Sequence, residues 1–126
     1  MRLAAIDIGS NAIRLQIVKA YRDKELISFK KLEFLRFPLR LGKDVFLNGK
    51  ISSPTDLKLI KLMKTFRLLI DLYEVTDYYA VATSAMREAS NANEIKSLVL
   101  KEAQIEIDII SGEKEAHILN LSLIHI

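Results

Sequence analysis

The chain has 126 residues, half of them apolar, which is enough for the core of one ordinary domain. It contains no cysteine, which excludes a disulfide framework and cysteine-based metal sites and is typical of a reducing cytoplasm. The net charge of +3 permits attraction to polyanions without specifying one.

Three strands are predicted first, over residues 3–9, 12–21 and 24–36. The first two are nearly continuous apolar runs, which is typical of strands buried on both faces. The turn between them carries Gly9, Ser10 and Asn11, and Asp7 closes the first strand. Glycine permits a sharp turn, successive backbone N–H groups can hold an anion, and Asp7 is placed to meet a phosphate-bound metal. The alternative is an ordinary hairpin with a hydrogen-bonded aspartate.

Residues 37–53 are rich in turn-forming residues and predict a loop, with Arg40-Leu41-Gly42 inside it. A helix is predicted to follow, with Ser53 as the cap, Pro54 in the first turn and apolar residues at helical spacing as far as Tyr73. Its basic residues predict a solvated face, because no aromatic residues are interleaved for stacking on bases. No nucleic-acid partner is expected.

The rest of the chain predicts strand–helix units. A strand over residues 78–83 is followed by a turn with a short helical piece, and a helix capped by Asn91 or Asn93 runs to about Ala103. A strand over residues 105–110 precedes a last helix that begins at Glu113. Three antiparallel strands followed by strand–helix crossovers indicate an α/β domain with a mixed sheet. No segment is long enough to cross a bilayer and no signal peptide is evident, so we expect a cytoplasmic protein without a membrane partner.

Three polar segments lie where predicted strands end, which is where α/β sheets gather ligands: residues 7–11, 83–91 and 111–115. Each has an ordinary explanation when taken alone. Arg87 is explained as a surface cation, and Glu113 and Glu115 are explained as acids that complement a helix N-terminus. Together, the three segments suggest a phosphate-binding turn, a cation and a carboxylate at one site.

Four motifs then resemble those of the exopolyphosphatase and guanosine pentaphosphate phosphatase family. Residues 7–11, with Arg14-Leu15 beyond them, resemble its first phosphate motif, and Arg40-Leu41-Gly42 resembles its next short signature. Residues 83–91 are similar to its third motif, and residues 110–116 are similar to its catalytic one. Since the motifs stand in family order, the resemblance implies a ribonuclease-H-like lobe of the actin-like ATPase superfamily.

The resemblance also implies roles for individual residues. Glu115 is the implied catalytic carboxylate, activating the water that attacks a terminal phosphorus. Asp7 is expected to help hold Mg²⁺. The implied phosphate-binding residues are Gly9, Ser10, Asn11, Arg14 and Arg87. The implied substrate is inorganic polyphosphate or guanosine pentaphosphate, and the parent protein is expected to be a homodimer.

The sequence departs from the family pattern at Ala12, Lys114 and His117, where serine, an acid or amide, and arginine are usual. It also lacks the second phosphate hairpin of the type Asp-x-Gly-Gly-Gly-Ser. We therefore expect residues 1–120 to be an incomplete N-terminal lobe that is inactive alone. A non-catalytic actin-like lobe that binds phosphate or nucleotide, or a sugar or acetate kinase of the same superfamily, are the alternatives.

Residues 121–126 are what a transposon-end adapter of sequencing libraries encodes, so we expect native sequence to end near Asn120. A natural helix end, with Ile118, Leu121 and Leu123 in the core, is the alternative.

Overall fold

The computed structural model describes residues 1–111. The predicted final helix, Glu113, Glu115 and the segment 121–126 lie outside the described residues. The strands are β1 (Arg2–Ile8), β2 (Ile13–Asp23), β3 (Leu26–Phe37), β4 (Asp77–Ala82) and β5 (Ile107–Ile109). The helices are α1 (Leu41–Asn48), α2 (Thr55–Leu72), α3 (Ser84–Glu88) and α4 (Ala92–Ala103).

The five strands form one sheet in the order β3-β2-β1-β4-β5. The first three strands pair antiparallel, whereas β1 with β4 and β4 with β5 pair parallel. The mixed sheet predicted from the sequence is therefore confirmed. Because β1, β4 and β5 run the same way, their carboxyl ends lie at one edge of the sheet.

The core lies on one face of this sheet. In β1 and β2 the buried residues alternate with polar or partly exposed ones, and the buried set is Ala4, Ile6, Ile8, Ile13, Leu15 and Ile17. Apolar residues of α2 and α4 pack against it, among them Leu59, Phe66 and Val99. The prediction that β1 and β2 are buried on both faces is therefore wrong for this part of the chain, since their other face is only half covered.

Helix α1 corrects the predicted loop over residues 37–53. It buries Leu41 and Val45 and ends at Gly49, whose φ of 71° is the left-handed conformation that glycine adopts readily. The Gly49 N–H donates to the Val45 carbonyl over 2.7 Å, which closes the helix. Two of the turn residues that suggest a loop, Asn48 and Gly49, stand at the end of this short helix.

Helix α2 forms almost where the apolar spacing predicts it, but without the predicted cap. It begins at Thr55, Pro54 occupies the cap position, and no side chain caps the first turn. Lys58, Lys61 and Lys64 are exposed, as expected for a solvated face. Strand β5 is shorter than predicted, with three residues in place of six. Within residues 1–111, no helix is long and apolar enough to span a membrane.

Candidate functional site

The predicted polar segments meet at the carboxyl edge of the parallel strands. The Thr83 N–H donates to the Ile8 carbonyl over 3.2 Å, which joins the end of β4 to the end of β1. The Ile110 N–H donates to the Ala82 carbonyl over 3.0 Å, which joins the end of β5 to β4. The first and third motifs and the start of the fourth are thereby brought side by side. The polar segments form one cluster, as their positions at strand ends predict. The cluster consists of residues 7–11, residues 83–91 and the residues that lead into Ser111.

The hairpin between β1 and β2 is closed by the Gly9 N–H, which donates to the Ala12 carbonyl over 3.1 Å. A Cβ placed on Gly9 would lie 3.0 Å from that carbonyl oxygen, so a side chain there crowds the turn. Ser10 and Asn11 form the tip, with Asn11 exposed. Glycine is needed at position 9 for close approach of the backbone rather than for a positive φ.

Ser10 is held from two sides. Its hydroxyl shares a 2.9 Å hydrogen bond with the hydroxyl of Ser84, the first residue of α3, and either hydroxyl can be the donor. Its carbonyl accepts a 2.9 Å bond from the Gly42 N–H in the first turn of α1. The Arg40-Leu41-Gly42 signature thus supports the hairpin tip from behind. Neither contact is evident from the sequence alone. The only signal in the sequence that points to this segment is the Arg40-Leu41-Gly42 motif.

Asp7 and Arg14 face each other across the β1–β2 ladder. The Arg14 guanidinium lies 3.8 Å from the Asp7 carboxylate, and their side chains are 50% and 25% exposed. An ion pair this accessible contributes little to stability, because solvent screens it. Both groups remain accessible to a bound phosphate or cation beside the hairpin tip.

Arg87 lies in the last turn of α3, and its side chain reaches across the end of β5. Its Nη1 donates to the Ile110 carbonyl over 2.5 Å. A guanidinium has five N–H donors in a planar fork, and this bond uses one of them. The bond fixes the guanidinium next to the segment in which the fourth motif begins.

Asn91, at the end of the third motif, has a different role from the predicted helix cap. Its amide oxygen accepts from the Ile51 N–H over 2.9 Å, and its amide nitrogen donates to the Ile51 carbonyl over 2.8 Å. Since the side chain pairs with Ile51 as a neighbouring strand would, it makes no capping hydrogen bond to α4. The Ser90 N–H adds a 2.9 Å bond to the Gly49 carbonyl. The third motif is thereby tied to the segment after α1.

Asp44 also holds the segment after α1, through hydrogen bonds with Ser52. Its carboxylate accepts from the Ser52 backbone and hydroxyl, at 2.7 and 2.6 Å, and from Asn48 at 2.7 Å. Partial burial raises the pKa of Asp44. The hydrogen bonds from Ser52, Asn48 and Thr55 together outweigh this effect and hold the pKa below its usual value of 3.8. The contact orients α1, whose first turn supports Ser10.

Within residues 1–111, no group of three or more acidic or histidine side chains is close enough to hold a metal alone. Magnesium often binds through one or two carboxylates, with water and phosphate oxygens completing its shell. A partly exposed carboxylate beside the hairpin tip fits that donor set. Among the predicted site residues that the structure describes, only Asp7 supplies such a carboxylate, since Glu115 lies outside the described residues.

The chain is a mixed-sheet α/β domain whose loops gather at one sheet edge, and known proteins share this arrangement. The model of the Ppx/GppA phosphatase family matches residues 17–126. The chain is 36% identical over 118 residues to the bifunctional 3-dehydroquinate synthase/phosphatase of Fusobacterium nucleatum, covering 91% of this chain and 18% of that protein. It is 31% identical over 123 residues to Exopolyphosphatase 1 of Mycobacterium tuberculosis, covering 98% and 35%. The crystal structure of the Aquifex aeolicus Ppx/GppA family member superposes with a TM-score of 0.84 at 32% identity, covering 91% and 36%.

The chain belongs to the Ppx/GppA phosphatase family, and its sheet and helices have the actin-like ATPase-type fold of that family. The predicted family and fold class are therefore confirmed. The chain spans about a third of the length of the Mycobacterium and Aquifex relatives and less than a fifth of the Fusobacterium protein.

Proposed function

We propose that this chain supplies one side of the active site of a phosphatase that removes terminal phosphates from inorganic polyphosphate or guanosine pentaphosphate. The observation that carries the proposal is the convergence of the Gly9–Asn11 turn, Ser84 and Arg87 at the carboxyl edge of β1, β4 and β5. Membership of a phosphatase family and the similarity to a protein named Exopolyphosphatase 1 support the same conclusion.

The turn is proposed to bind phosphate through its backbone. The backbone N–H groups of Ser10 and Asn11 are the proposed donors, and Ser10 is held in place from α1 and α3. Because these donors are already fixed, an anion placed against them requires little rearrangement of the chain. Arg87 lies at the same edge, where it contacts the Ile110 carbonyl, and its planar donors suit the terminal phosphoryl oxygens.

Glu115 is proposed to be the general base. It orients a water on the terminal phosphorus and takes a proton as the water oxygen bonds to phosphorus. The bond from phosphorus to the bridging oxygen breaks, and the shortened chain leaves with that oxygen. Asp7 is proposed to hold Mg²⁺, with water and phosphate oxygens as the other ligands; the ion would neutralise phosphate charge.

Hydrolysis by a hybrid protein tests this proposal. In the hybrid, residues 1–120 replace the matching first third of the Aquifex aeolicus relative. We expect phosphate release from polyphosphate, and Glu115→Gln should lower the rate by roughly 100-fold or more, the usual contribution of a general base. Glu113→Gln is the matched control, because it removes the same charge two residues away and should leave the rate nearly unchanged. Equal rates for the two variants would reject Glu115 as the base.

A further inference from the structure

Helix α1 is hydrogen-bonded at both of its ends to motifs of the candidate site. In its first turn, the Gly42 N–H donates to the Ser10 carbonyl over 2.9 Å. Beyond its last turn, the N–H and the carbonyl of Ile51 pair with the side chain of Asn91 at 2.9 and 2.8 Å. One end of α1 is therefore joined to the hairpin tip, and the other end is joined to the third motif.

These contacts close a ring around one edge of the sheet. The hairpin tip and the third motif also meet directly, since the hydroxyls of Ser10 and Ser84 lie 2.9 Å apart. Ser84 begins α3, which carries Arg87 in its last turn and is followed by Asn91. The ring runs from Ser10 through α1 and Ile51 to Asn91, and returns through α3 to Ser10. A shift of α1 therefore alters the position of the hairpin tip.

The position of α1 depends on these end contacts. It has eight residues, and isolated helices shorter than about 12 residues are marginal in water. Its buried side chains are Leu41 and Val45. Phe46 and Leu47 are 88% and 65% exposed, so no described part of the chain covers the outer side of the helix. The hydrogen bonds to the hairpin tip and to the third motif supply much of what keeps α1 in place.

Resting on the proposed function, we infer that Asn91 is a positioning residue for the phosphate turn, acting through Ile51 and α1 on the Ser10 carbonyl. An anion gains most from N–H donors that are already in place, because it then binds without rearranging the chain. When Asn91 no longer pairs with Ile51, α1 shifts and Gly42 holds the tip less firmly. Only a fraction of the molecules then presents a turn that is ready for phosphate, and the apparent affinity falls by that fraction.

The signature of positioning is a change at Gly42 when Asn91 is altered. Amide hydrogen exchange of the ¹⁵N-labelled 126-residue chain, without ligand, follows the Gly42 N–H that donates to Ser10. Asn91→Ala should speed its exchange by roughly tenfold or more, because the local bond opens more often. Calorimetry with tripolyphosphate and Mg²⁺ should show a roughly fivefold loss of affinity, as when the turn is ready in about one molecule in five.

Asn91→Asp is the conservative variant. Its carboxylate still accepts from the Ile51 N–H but has no donor for the Ile51 carbonyl, so both effects should be smaller than those of Asn91→Ala. Circular dichroism verifies the folding of each variant. If Asn91→Ala did not fold, Asn91→Asp takes its place in every comparison. Wild-type exchange at Gly42 in a folded Asn91 variant would overturn the positioning role.

Ile70→Ala is the control for stability. Ile70 is buried in α2, seven residues before the start of β4, so it lies near the sheet edge opposite to the candidate site. Loss of its buried methyl groups should destabilise the chain about as much as Asn91→Ala does. The Gly42 exchange rate and the affinity for tripolyphosphate should nevertheless change less than twofold. Equal effects of Ile70→Ala and Asn91→Ala would overturn the positioning role while leaving the proposed function in place.

The double variant of Gly42→Ala and Asn91→Ala gives a second test. Both substitutions are expected to act by moving Ser10, so adding the second should lower the affinity for tripolyphosphate less than twofold further. Additive losses on the logarithmic scale would overturn the positioning role. If the wild-type chain bound no tripolyphosphate, the proposed phosphate site and the positioning role would both be overturned.

Discussion

The Gly42 N–H donates a 2.9 Å hydrogen bond to the Ser10 carbonyl, and a Cβ on Gly42 would lie 2.9 Å from the Ser10 Cβ. Helix α1 can therefore support the hairpin tip this closely only with glycine at position 42. The contact explains in physical terms why the short motif that contains Gly42 accompanies the motif at residues 7–11. It also makes the geometry of the turn depend on a residue 32 positions farther along the chain.

Gly42→Ala should therefore disturb the hairpin tip. Alanine normally stabilises a helix by about 1 kcal/mol over glycine. Here the added methyl must push Ser10 away, and we expect a net loss of about 1–3 kcal/mol in the free energy of unfolding. Affinity for tripolyphosphate should fall as well, because the tip moves. Urea unfolding and calorimetric titration measure the two effects.

Gly49→Ala is the matched control for that substitution. Gly49 has a φ of 71° and open space around its Cβ position, so alanine there meets backbone strain but no neighbour. A stability loss of about 1–2 kcal/mol with unchanged tripolyphosphate affinity is expected. If Gly49→Ala lowered the affinity for tripolyphosphate as much as Gly42→Ala, the loss of binding would reflect lower stability rather than the position of Ser10.

The Ser10–Ser84 hydrogen bond should appear as energetic coupling between two motifs that lie 74 residues apart. Ser10→Ala, Ser84→Ala and the double variant form a double-mutant cycle. We expect a coupling of about 1 kcal/mol in the free energy of unfolding, the size of one partly buried hydrogen bond. Additive losses in urea denaturation would show that the hydroxyl contact contributes no stability.

Asn91→Ala should be among the more damaging polar substitutions in this part of the chain. It leaves the N–H and the carbonyl of the buried residue Ile51 without the partners that they have now. A loss of about 2–4 kcal/mol in the free energy of unfolding is expected. Asn93→Ala, at an exposed position in the first turn of the same helix, should change it by less than about 0.5 kcal/mol. Similar losses for the two variants would contradict the structural role of Asn91.

Asp44 should make stability depend on pH in acid. Hydrogen bonds hold its folded-state pKa below the usual 3.8, so its contribution is complete above the unfolded pKa of about 4 and is lost as pH falls through the folded pKa. At pH 7, Asp44→Ala should cost about 1–2 kcal/mol, since three hydrogen bonds to the carboxylate disappear. The difference from wild type should shrink below pH 4.

Asp71→Ala serves as the control for that pH profile. Asp71 is 59% exposed and pairs with Arg67 over 3.2 Å on the surface of α2, so its removal should cost less than about 1 kcal/mol at any pH. Chemical denaturation from pH 7 down to about pH 3 compares the two variants. A constant deficit for Asp44→Ala across that range would show that its carboxylate is not the stabilising group.

The sheet and the longest helix are the parts of the fold that the sequence predicts well. The apolar runs of β1 and β2 and the spacing of Leu59, Met63 and Phe66 in α2 are strong local signals. Helix α1 was missed because eight residues with two buried side chains leave almost no periodicity, and its terminal Asn48-Gly49 is also typical of a loop. The one-sided burial of β1 and β2 depends on what packs against the sheet, which residue composition does not specify.

In the candidate site, too, some features are predictable from the sequence and others are not. Their positions at strand ends and the family motifs predict Asp7, the Gly9–Asn11 turn and Arg87 as site residues, and these roles stay predictions. The support of Ser10 by Gly42, its bond to Ser84 and the pairing of Asn91 with Ile51 are contacts between distant segments. Such contacts exist only once the chain has folded, and no local pattern encodes them. The role of Glu115 stays a prediction, because that residue lies outside the described part of the chain.

Phosphate is proposed to bind at the hairpin tip between β1 and β2. The most direct measurement is a titration of the ¹⁵N-labelled chain with tripolyphosphate in the presence of Mg²⁺, followed by amide NMR shifts. We expect the largest saturable shifts on Gly9, Ser10 and Asn11, with smaller ones at Ser84 and Arg87. Shifts centred on the exposed lysines of α2, at Lys58, Lys61 and Lys64, with the hairpin amides unmoved, would contradict it.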